Sequence, residues 1–341
     1  MPGRTVLSLL ITYLVLVAGC TKNTPSSQEK IRVGYFPNIT HSQALLGMAR
    51  GDFRKALGTG VVVDSTIFNA GPSVIEAMFA GRIDLAYIGP NPAVNGYIQS
   101  QGKALRVIAG ATSGGAAFVV RADSGIEAAP HLAGKKLATP QLGNTQDVAL
   151  RDYLKVHDLT TSDKGGDVEI FPTPNPEIFD LFIQGRIDGA WVPEPWASRL
   201  VLDGKGRVLV DERDLWPSGD FVTAQVIVRT EFLEQHPDLV KRWLAAHVDI
   251  TQWEQSHPEE ALPLLNASLE KLTGKKLSAE VLDRAWRNLR PTWDPLSGNL
   301  QRSAQAAYEA GFLSEPPNLD GIYALNPLNQ VLREKGLPEV H

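Results

Sequence analysis

A six-residue pattern recurs in this chain: Gly81-Arg82-Ile83-Asp84-Leu85-Ala86 returns as Gly185-Arg186-Ile187-Asp188-Gly189-Ala190. Each copy follows a short apolar stretch of helical character, Ser73 to Phe79 and Asn175 to Phe182, and each leads into a short apolar strand. Ser73 with Glu76 fits a capping box, and Asn175 with Pro176 fits an N-cap followed by proline at the first helical position. The glycine supplies the left-handed residue that ends a helix, because it has no Cβ to penalise positive φ. A proline-bearing loop follows each strand, Tyr87-Ile88-Gly89-Pro90-Asn91-Pro92 and Trp191-Val192-Pro193-Glu194-Pro195-Trp196. Helix, glycine turn, strand and loop in the same order twice predict a duplicated α/β unit. Two such lobes enclose a cleft where the matching loops meet.

Residues 1–19 read as a secretory signal, with Arg4 as its charge and Val6 to Val17 as an apolar core broken only by Ser8, Thr12 and Tyr13. That core is shorter than the roughly 20 apolar residues a membrane-spanning helix needs. It ends in Val17-Ala18-Gly19-Cys20, which resembles the lipobox of bacterial lipoproteins, where the signal is cut before a cysteine that carries the lipid. Cys20 is the one cysteine in the chain, so no intramolecular disulfide can form. Residues 20–30 are then a lipidated cysteine and a polar tether containing Pro25-Ser26-Ser27. The expected body is exported and anchored to a membrane through Cys20. A net charge of −5 and no basic stripe exclude a nucleic-acid footprint.

Within the body, Ile31 to Phe36 and Val61 to Phe68 read as strands, with a helix from Ser42 to about Lys55 between them, capped by Thr40, His41 or Ser42. Val107 to Ala111 is a further strand, and Ser113-Gly114-Gly115 before the apolar run Ala116 to Val120 marks a crossing between lobes. The second lobe holds strand Lys136 to Thr139, a helix from Gln146 to His157, strand Val168 to Phe171, the second repeat helix and strand Ala190 to Val192. Val222 to Val228 is the returning strand. Alternating strands and helices predict doubly wound sheets. From Glu231 onward the pattern is helical, and this region is expected to pack on the first lobe.

Loops suited to an anion place small or amide-bearing residues at helix N-termini, where free N–H groups and the helix dipole favour negative charge. Pro37 to Ser42, Ser113 to Gly115 and Gln141 to Asp147 are such loops. His41 is either a donor to an oxyanion or a cap of its own helix. Asn91 in the first repeat loop, and Glu194 and Trp196 in the second, occupy corresponding cleft positions. Trp196 either closes over an apolar tail or packs on its own lobe, and Glu194 beside an anion needs a donor or a role in holding the lobes together. Catalytic signatures are missing: no Gly-x-Ser-x-Gly elbow, Walker loop or dinucleotide fingerprint occurs, and the seven histidines have no zinc-site spacing. No metal, no cofactor and no enzymatic activity are expected.

Four segments together carry a family resemblance: Val33-Gly34-Tyr35-Phe36-Pro37-Asn38, Gly81 to Ala86, Gly134-Lys135-Lys136-Leu137-Ala138 and Glu194-Pro195-Trp196-Ala197. In their order the chain, over about Ile31 to His257, resembles the solute-binding proteins of bacterial ABC importers for aliphatic sulfonates, nitrate and taurine. Phe68-Asn69-Ala70-Gly71-Pro72 with Gly110 to Gly115 is most similar to the aliphatic sulfonate branch. The resemblance implies an α/β type II periplasmic-binding fold: two doubly wound lobes, a two-strand hinge and a C-terminal helical region. Lobe 1 would span residues 31–116 and 224–341, and lobe 2 residues 117–223. It implies ligand contacts from Asn38, Thr40 and His41, from Asn69, Gly71 and Ser73, from Asn91, from Ser113, Gly114 and Gly115, and from Gly143, Asn144, Thr145 and Gln146. The implied partners of a monomeric protein are a small organic anion and a membrane permease with its ATPase. Nitrate, taurine or a pyrimidine precursor are alternative ligands, and a tethered sensor with the same cleft is an alternative role. An enzyme on this fold, like the fungal pyrimidine-precursor synthase, would need the cysteine-rich segment that the body lacks.

Overall fold

The computed structural model describes residues 29–341. The expected signal, the lipobox, Cys20 and the tether through residue 28 lie outside the described residues; Glu29 and Lys30, expected in the tether, already belong to the first strand. Two sheets form the molecule's centre. The first contains β1 (Glu29–Tyr35), β2 (Val61–Ile67), β3 (Leu85–Ile88), β4 (Leu105–Gly114), β10 (Val222–Arg229) and β11 (Leu289–Pro291). The second contains β5 (Ala116–Arg121), β6 (Lys136–Thr139), β7 (Glu169–Pro172), β8 (Gly189–Pro193) and β9 (Gly206–Asp211). Around the first sheet lie α1 (Ser42–Arg50), α2 (Asp52–Leu57), α3 (Gly71–Phe79) and α4 (Pro90–Gln99), and around the second α5 (Thr145–Val156), α6 (Asn175–Ile183) and α7 (Trp196–Leu202). The remainder is helical: α8 (Thr230–Gln235), α9 (Pro237–Ser256), α10 (Pro258–Thr273), α11 (Ala279–Arg287), α12 (Ser297–Glu309) and α13 (Asn326–Glu334).

The sheets share one plan. In the first, strands run β2-β1-β3-β10-β4 with β11 beyond; in the second, β7-β6-β8-β5-β9. The first three strands of each series are parallel, the fourth (β10 or β5) runs against them, and the fifth (β4 or β9) pairs antiparallel with the fourth and so runs with the first three. The strand beside each repeat strand arrives from the other lobe: β5 enters from the first, β10 returns from the second. The chain crosses through Gly114 and Gly115, whose φ values of +75° and +79° belong to glycine.

The repeated hexapeptide performs the same structural task twice. Gly81 and Gly185, at φ +65° and +69°, end α3 and α6. The next N–H groups, of Arg82 and Arg186, close back on Ala77 and Leu181 carbonyls at 2.8 and 2.9 Å. Ile83 and Ile187 are buried under the turn. Asp84 then clasps β1, its N–H donating to the Arg32 carbonyl at 2.8 Å and its carboxylate accepting from the Arg32 N–H at 2.9 Å. Asp188 does the same to Lys136 of β6, at 2.7 and 2.9 Å.

Three local expectations change. The long first helix breaks at Gly51, φ +76°, into α1 and α2. The capping box at Ser73 does not form, because α3 starts at Gly71 with Ala70 as its N-cap, and Pro72 sits inside the first turn, where its missing N–H costs nothing. Asn175 likewise is the first residue of α6 rather than its cap. The C-terminal helices cover the first lobe, where Trp243 of α9 stacks on Phe53 at 3.7 Å, yet they also reach the second. Lys155 of α5 pairs with Glu309 of α12 at 2.7 Å, and Lys164 donates to the Ala310 carbonyl at 2.7 Å.

The two aspartates differ in surroundings. Burial pushes the Asp84 carboxyl up, but hydrogen bonds from Arg32 (Nε at 2.7 Å) and Arg229 (Nη2 at 3.1 Å) outweigh it and hold the group below its usual range. We predict that Asp84→Ala lowers unfolding stability at pH 7 by about 3 kcal/mol, since it strands two arginines and an N–H. Asp188, half-buried and holding one backbone N–H, loses only about 1 kcal/mol on the same change. Urea unfolding checks both. Because the Asp84 pKa is depressed, its contribution is present at neutral pH and disappears as the pH falls through the folded-state value.

Candidate functional site

A cavity of about 30 Å3 lies between the lobes at the C-terminal ends of the parallel strands. From the first lobe come Phe36, Asn38, Thr40 and His41 after β1, Asn69, Ala70 and Gly71 after β2, and Gly89 and Pro92 after β3. From the second come Pro140, Asn144, Thr145 and Gln146 after β6, Asn175 after β7 and Pro193 of β8, with Thr223 of β10 beside them. First-turn residues of α3, α4, α5 and α6 therefore converge on one small space. Parallel strands followed by helices deliver this arrangement, since each helix N-terminus sits where its strand ends.

The lining carries no lysine, arginine, carboxylate, serine or cysteine. Its polar content is neutral, and part of it has no protein partner. Thr145 Oγ1 and Asn175 Oδ1 are buried without a hydrogen bond, although Thr145 and Asn175 are only 7% and 6% exposed. An unpaired buried polar atom costs free energy unless a ligand or water satisfies it. His41 Nδ1 accepts from the Phe36 N–H at 3.4 Å, which places the ring proton on Nε2. Burial lowers the imidazole pKa to about 3, so the ring is neutral and Nε2–H remains a donor at any physiological pH. The His41 side chain makes no cap to its helix.

Behind His41 lies a second neutral histidine. Tyr87 O–H donates to His247 Nδ1 at 3.0 Å, and His247 Nε2–H donates to the Gly110 carbonyl at 2.9 Å. Burial lowers the His247 pKa to about 4 against the opposing effect of the Gly110 bond.

Of the sixteen residues expected at the site, the cavity brings together Asn38, Thr40, His41, Asn69, Gly71, Asn144, Thr145 and Gln146. The others lie elsewhere. Ser73 is further along the first turn of α3. Asn91 turns away and donates through Nδ2 to the Ser303 carbonyl of α12 at 2.8 Å. Ser113, Gly114 and Gly115 form the crossing, where Ser113 Oγ donates to Asp220 at 2.8 Å and Thr223 Oγ1 to the Gly114 carbonyl at 2.5 Å. Gly143, at φ +72°, donates to the Asp147 carboxylate at 2.9 Å. Glu194 is fully buried, away from the cavity, and ties the lobes: it accepts from Ser198 N–H and Oγ–H at 2.9 Å and from Asn288 Nδ2 at 2.7 Å. Burial pushes its pKa up despite those bonds. Trp196 stands at the mouth and donates from Nε1 to Asn38 Oδ1 across the lobes at 3.1 Å.

Sequence reasoning missed Asn175 as a cavity residue. The duplication held the signal: Asn175-Pro176 opens α6 as Gly71-Pro72 opens α3. Gly89 was also missed. A Cβ there would sit 2.3 Å from Thr145 Oγ1 of the facing lobe, so only glycine lets the lobes meet. Among the described residues no cluster of histidine, cysteine, aspartate and glutamate could hold a metal, and no helix is long and apolar enough to cross a membrane.

Known proteins place this architecture. The chain is 27% identical over 315 residues, 90% of its length and 89% of the relative's, to a Bacillus subtilis (strain 168) protein provisionally named for binding aliphatic sulfonates. It is 29% identical over 229 residues, 67% of this chain and 69% of the other, to the taurine-binding periplasmic protein of Escherichia coli (strain K12). The alkanesulfonate-binding protein SsuA from Xanthomonas axonopodis pv. citri, solved with MOPS bound, superposes with a TM-score of 0.70 over 87% of this chain and 98% of its own, at 20% identity. This likeness shows the periplasmic-binding-protein fold. The desulfurization enzyme DszB shares it, with a TM-score of 0.62 over 90% of this chain and 99% of its own, at 21% identity. A family model described as NMT1-like matches residues 24–264. The chain belongs to the NMT1-like family.

Proposed function

We propose that this protein is the extracytoplasmic solute-binding component of an ABC importer, that it captures a small organic anion between its lobes, and that the anion is an aliphatic sulfonate. One observation carries the reading: neutral donors and four helix N-termini from both lobes converge on a cavity whose lining has no carboxylate. Such dipoles favour a negative charge without a full opposing charge. Names of relatives point the same way, toward sulfonates and taurine. In this reading the head group takes hydrogen bonds from His41 Nε2–H, Thr145 Oγ1–H, the asparagine amides and backbone N–H groups. A bound anion joins the lobes and favours the closed form by its differential affinity. The permease then reads the closed form, and Cys20 anchors the protein to the membrane.

The test is calorimetric titration of the purified protein, freed of carried-over ligand, with alkanesulfonates, taurine, nitrate, sulfate and a pyrimidine precursor. A sulfonate is expected to bind most tightly, and binding only of another ligand refutes the sulfonate assignment. His41→Leu and Thr145→Val each weaken binding by roughly 10- to 100-fold, the worth of a hydrogen bond to a charged group. Gly89→Ala weakens it at least as much, because the added methyl group blocks closure rather than removing a donor. The affinity is expected to be constant from pH 5 to 9, since His41 titrates near 3 and sulfonates stay ionised. A cationic His41 would instead make binding tighten as the pH falls, up to about tenfold per unit.

A further inference from the structure

A second chamber, about 250 Å3 in volume, adjoins the cleft cavity on its outer side. Asn38, Asn69 and Asn175 line both, forming the sill between them. The chamber walls come from both lobes. Trp196 faces Ile67 at the end of β2, and Leu269 and Leu272 of α10 with Leu277 beyond it complete the apolar surface. Ile67 and Leu272 each remain 38% exposed there. Arg199 and Lys275 are the charged residues of the lining, with no carboxylate among it. The Arg199 guanidinium is stacked over the Trp196 ring at 4.7 Å and the Phe179 ring at 4.3 Å, which holds the indole as a wall.

The sizes of the two spaces assign different parts of a ligand to each. A single water needs about 10–15 Å3, so the inner cavity of 30 Å3 takes an anionic head and little else. The asparagine sill joins the inner cavity to the larger of the spaces that share its lining, the one with room for what the head is attached to. We propose that the outer chamber receives the ligand's uncharged apolar body, so that the protein selects long-chain alkyl or aryl anions over small ones and over anions bearing an ammonium group. The inference rests on the anion-binding reading above and specifies its ligand class. Five apolar side chains offer burial to a hydrocarbon body. An ammonium a few bonds from the head would meet Arg199 and Lys275, and like charges repel; Asp203, 3.5 Å from Arg199 Nε, is already paired with that arginine and does not line the chamber.

Calorimetric titration of the purified protein with methanesulfonate, hexanesulfonate, octanesulfonate, naphthalenesulfonate and taurine at one salt concentration tests this. Burying each methylene strengthens binding by about fourfold, so octanesulfonate is expected to bind at least about 100-fold more tightly than methanesulfonate, with taurine weakest. The double change Ile67→Thr with Leu272→Gln, at part-exposed positions, should shrink the octanesulfonate-to-methanesulfonate affinity ratio about tenfold or more. Equal affinities along the alkyl series, an unchanged ratio in the variant, or taurine above hexanesulfonate would overturn the chamber assignment while leaving the anion site intact. Failure of all five to bind would overturn both the chamber assignment and the sulfonate assignment.

Discussion

Each sheet of this protein is completed by a strand that arrives from the other lobe, and the rest of the structure depends on that exchange. β5 lies beside β8 and β10 beside β3, so the second sheet forms only after the chain has crossed over, and the first is completed only after it has crossed back. The outward crossing is concentrated in Gly114 and Gly115, at φ +75° and +79°. A crossing this short aligns the C-terminal ends of both sets of parallel strands along one cleft. It also confines relative motion to a few residues, with Thr223 and Ser113 hydrogen-bonded close to the pivot. Hinge closure around a ligand is what such a connection permits.

The acid residues in and around the lobes have structural duties, which leaves the cavity free of negative charge. Asp84 and Asp188 clasp adjacent strands, Asp147 holds the Gly143 turn, and Glu194 joins α7 to Asn288. A chain of net charge −5 thereby presents to its ligand only amides, three threonine hydroxyls and a neutral imidazole, together with helix N-termini. Long-range repulsion between exposed carboxylates and an anion is screened within about 10 Å at ordinary salt, while the short dipoles at the cavity act undiminished.

Much of this was legible because local rules act over a few residues. Gly81 and Gly185 had to be helix ends, Asp84 and Asp188 strand starts, and the duplication then implied two sheets of one plan. What was not legible required knowledge of distant neighbours. Ser73 loses its cap role because Pro72 is tolerated inside the first turn, so the helix starts at Gly71 with Ala70 as its cap. Asn91 matches the cleft in sequence position, but α12, some two hundred residues away, offers it a carbonyl. Glu194 occupies a cleft loop and is turned inward by Ser198 and Asn288. Gly89 reads as an ordinary turn glycine until the facing Thr145 is in place. The C-terminal helices have no repeat to predict them, and so their reach across both lobes was hidden.

The central claim is that neutral groups from both lobes hold one anionic head in the inner cavity. The most direct measurement is a crystal structure of the protein with octanesulfonate, locating the ligand sulfur by its anomalous scattering. The account predicts a single sulfur peak between the lobes, with sulfonate oxygens within hydrogen-bond distance of His41 Nε2 and Thr145 Oγ1. A sulfur peak outside this cavity, or paired there with an arginine or lysine, would contradict it.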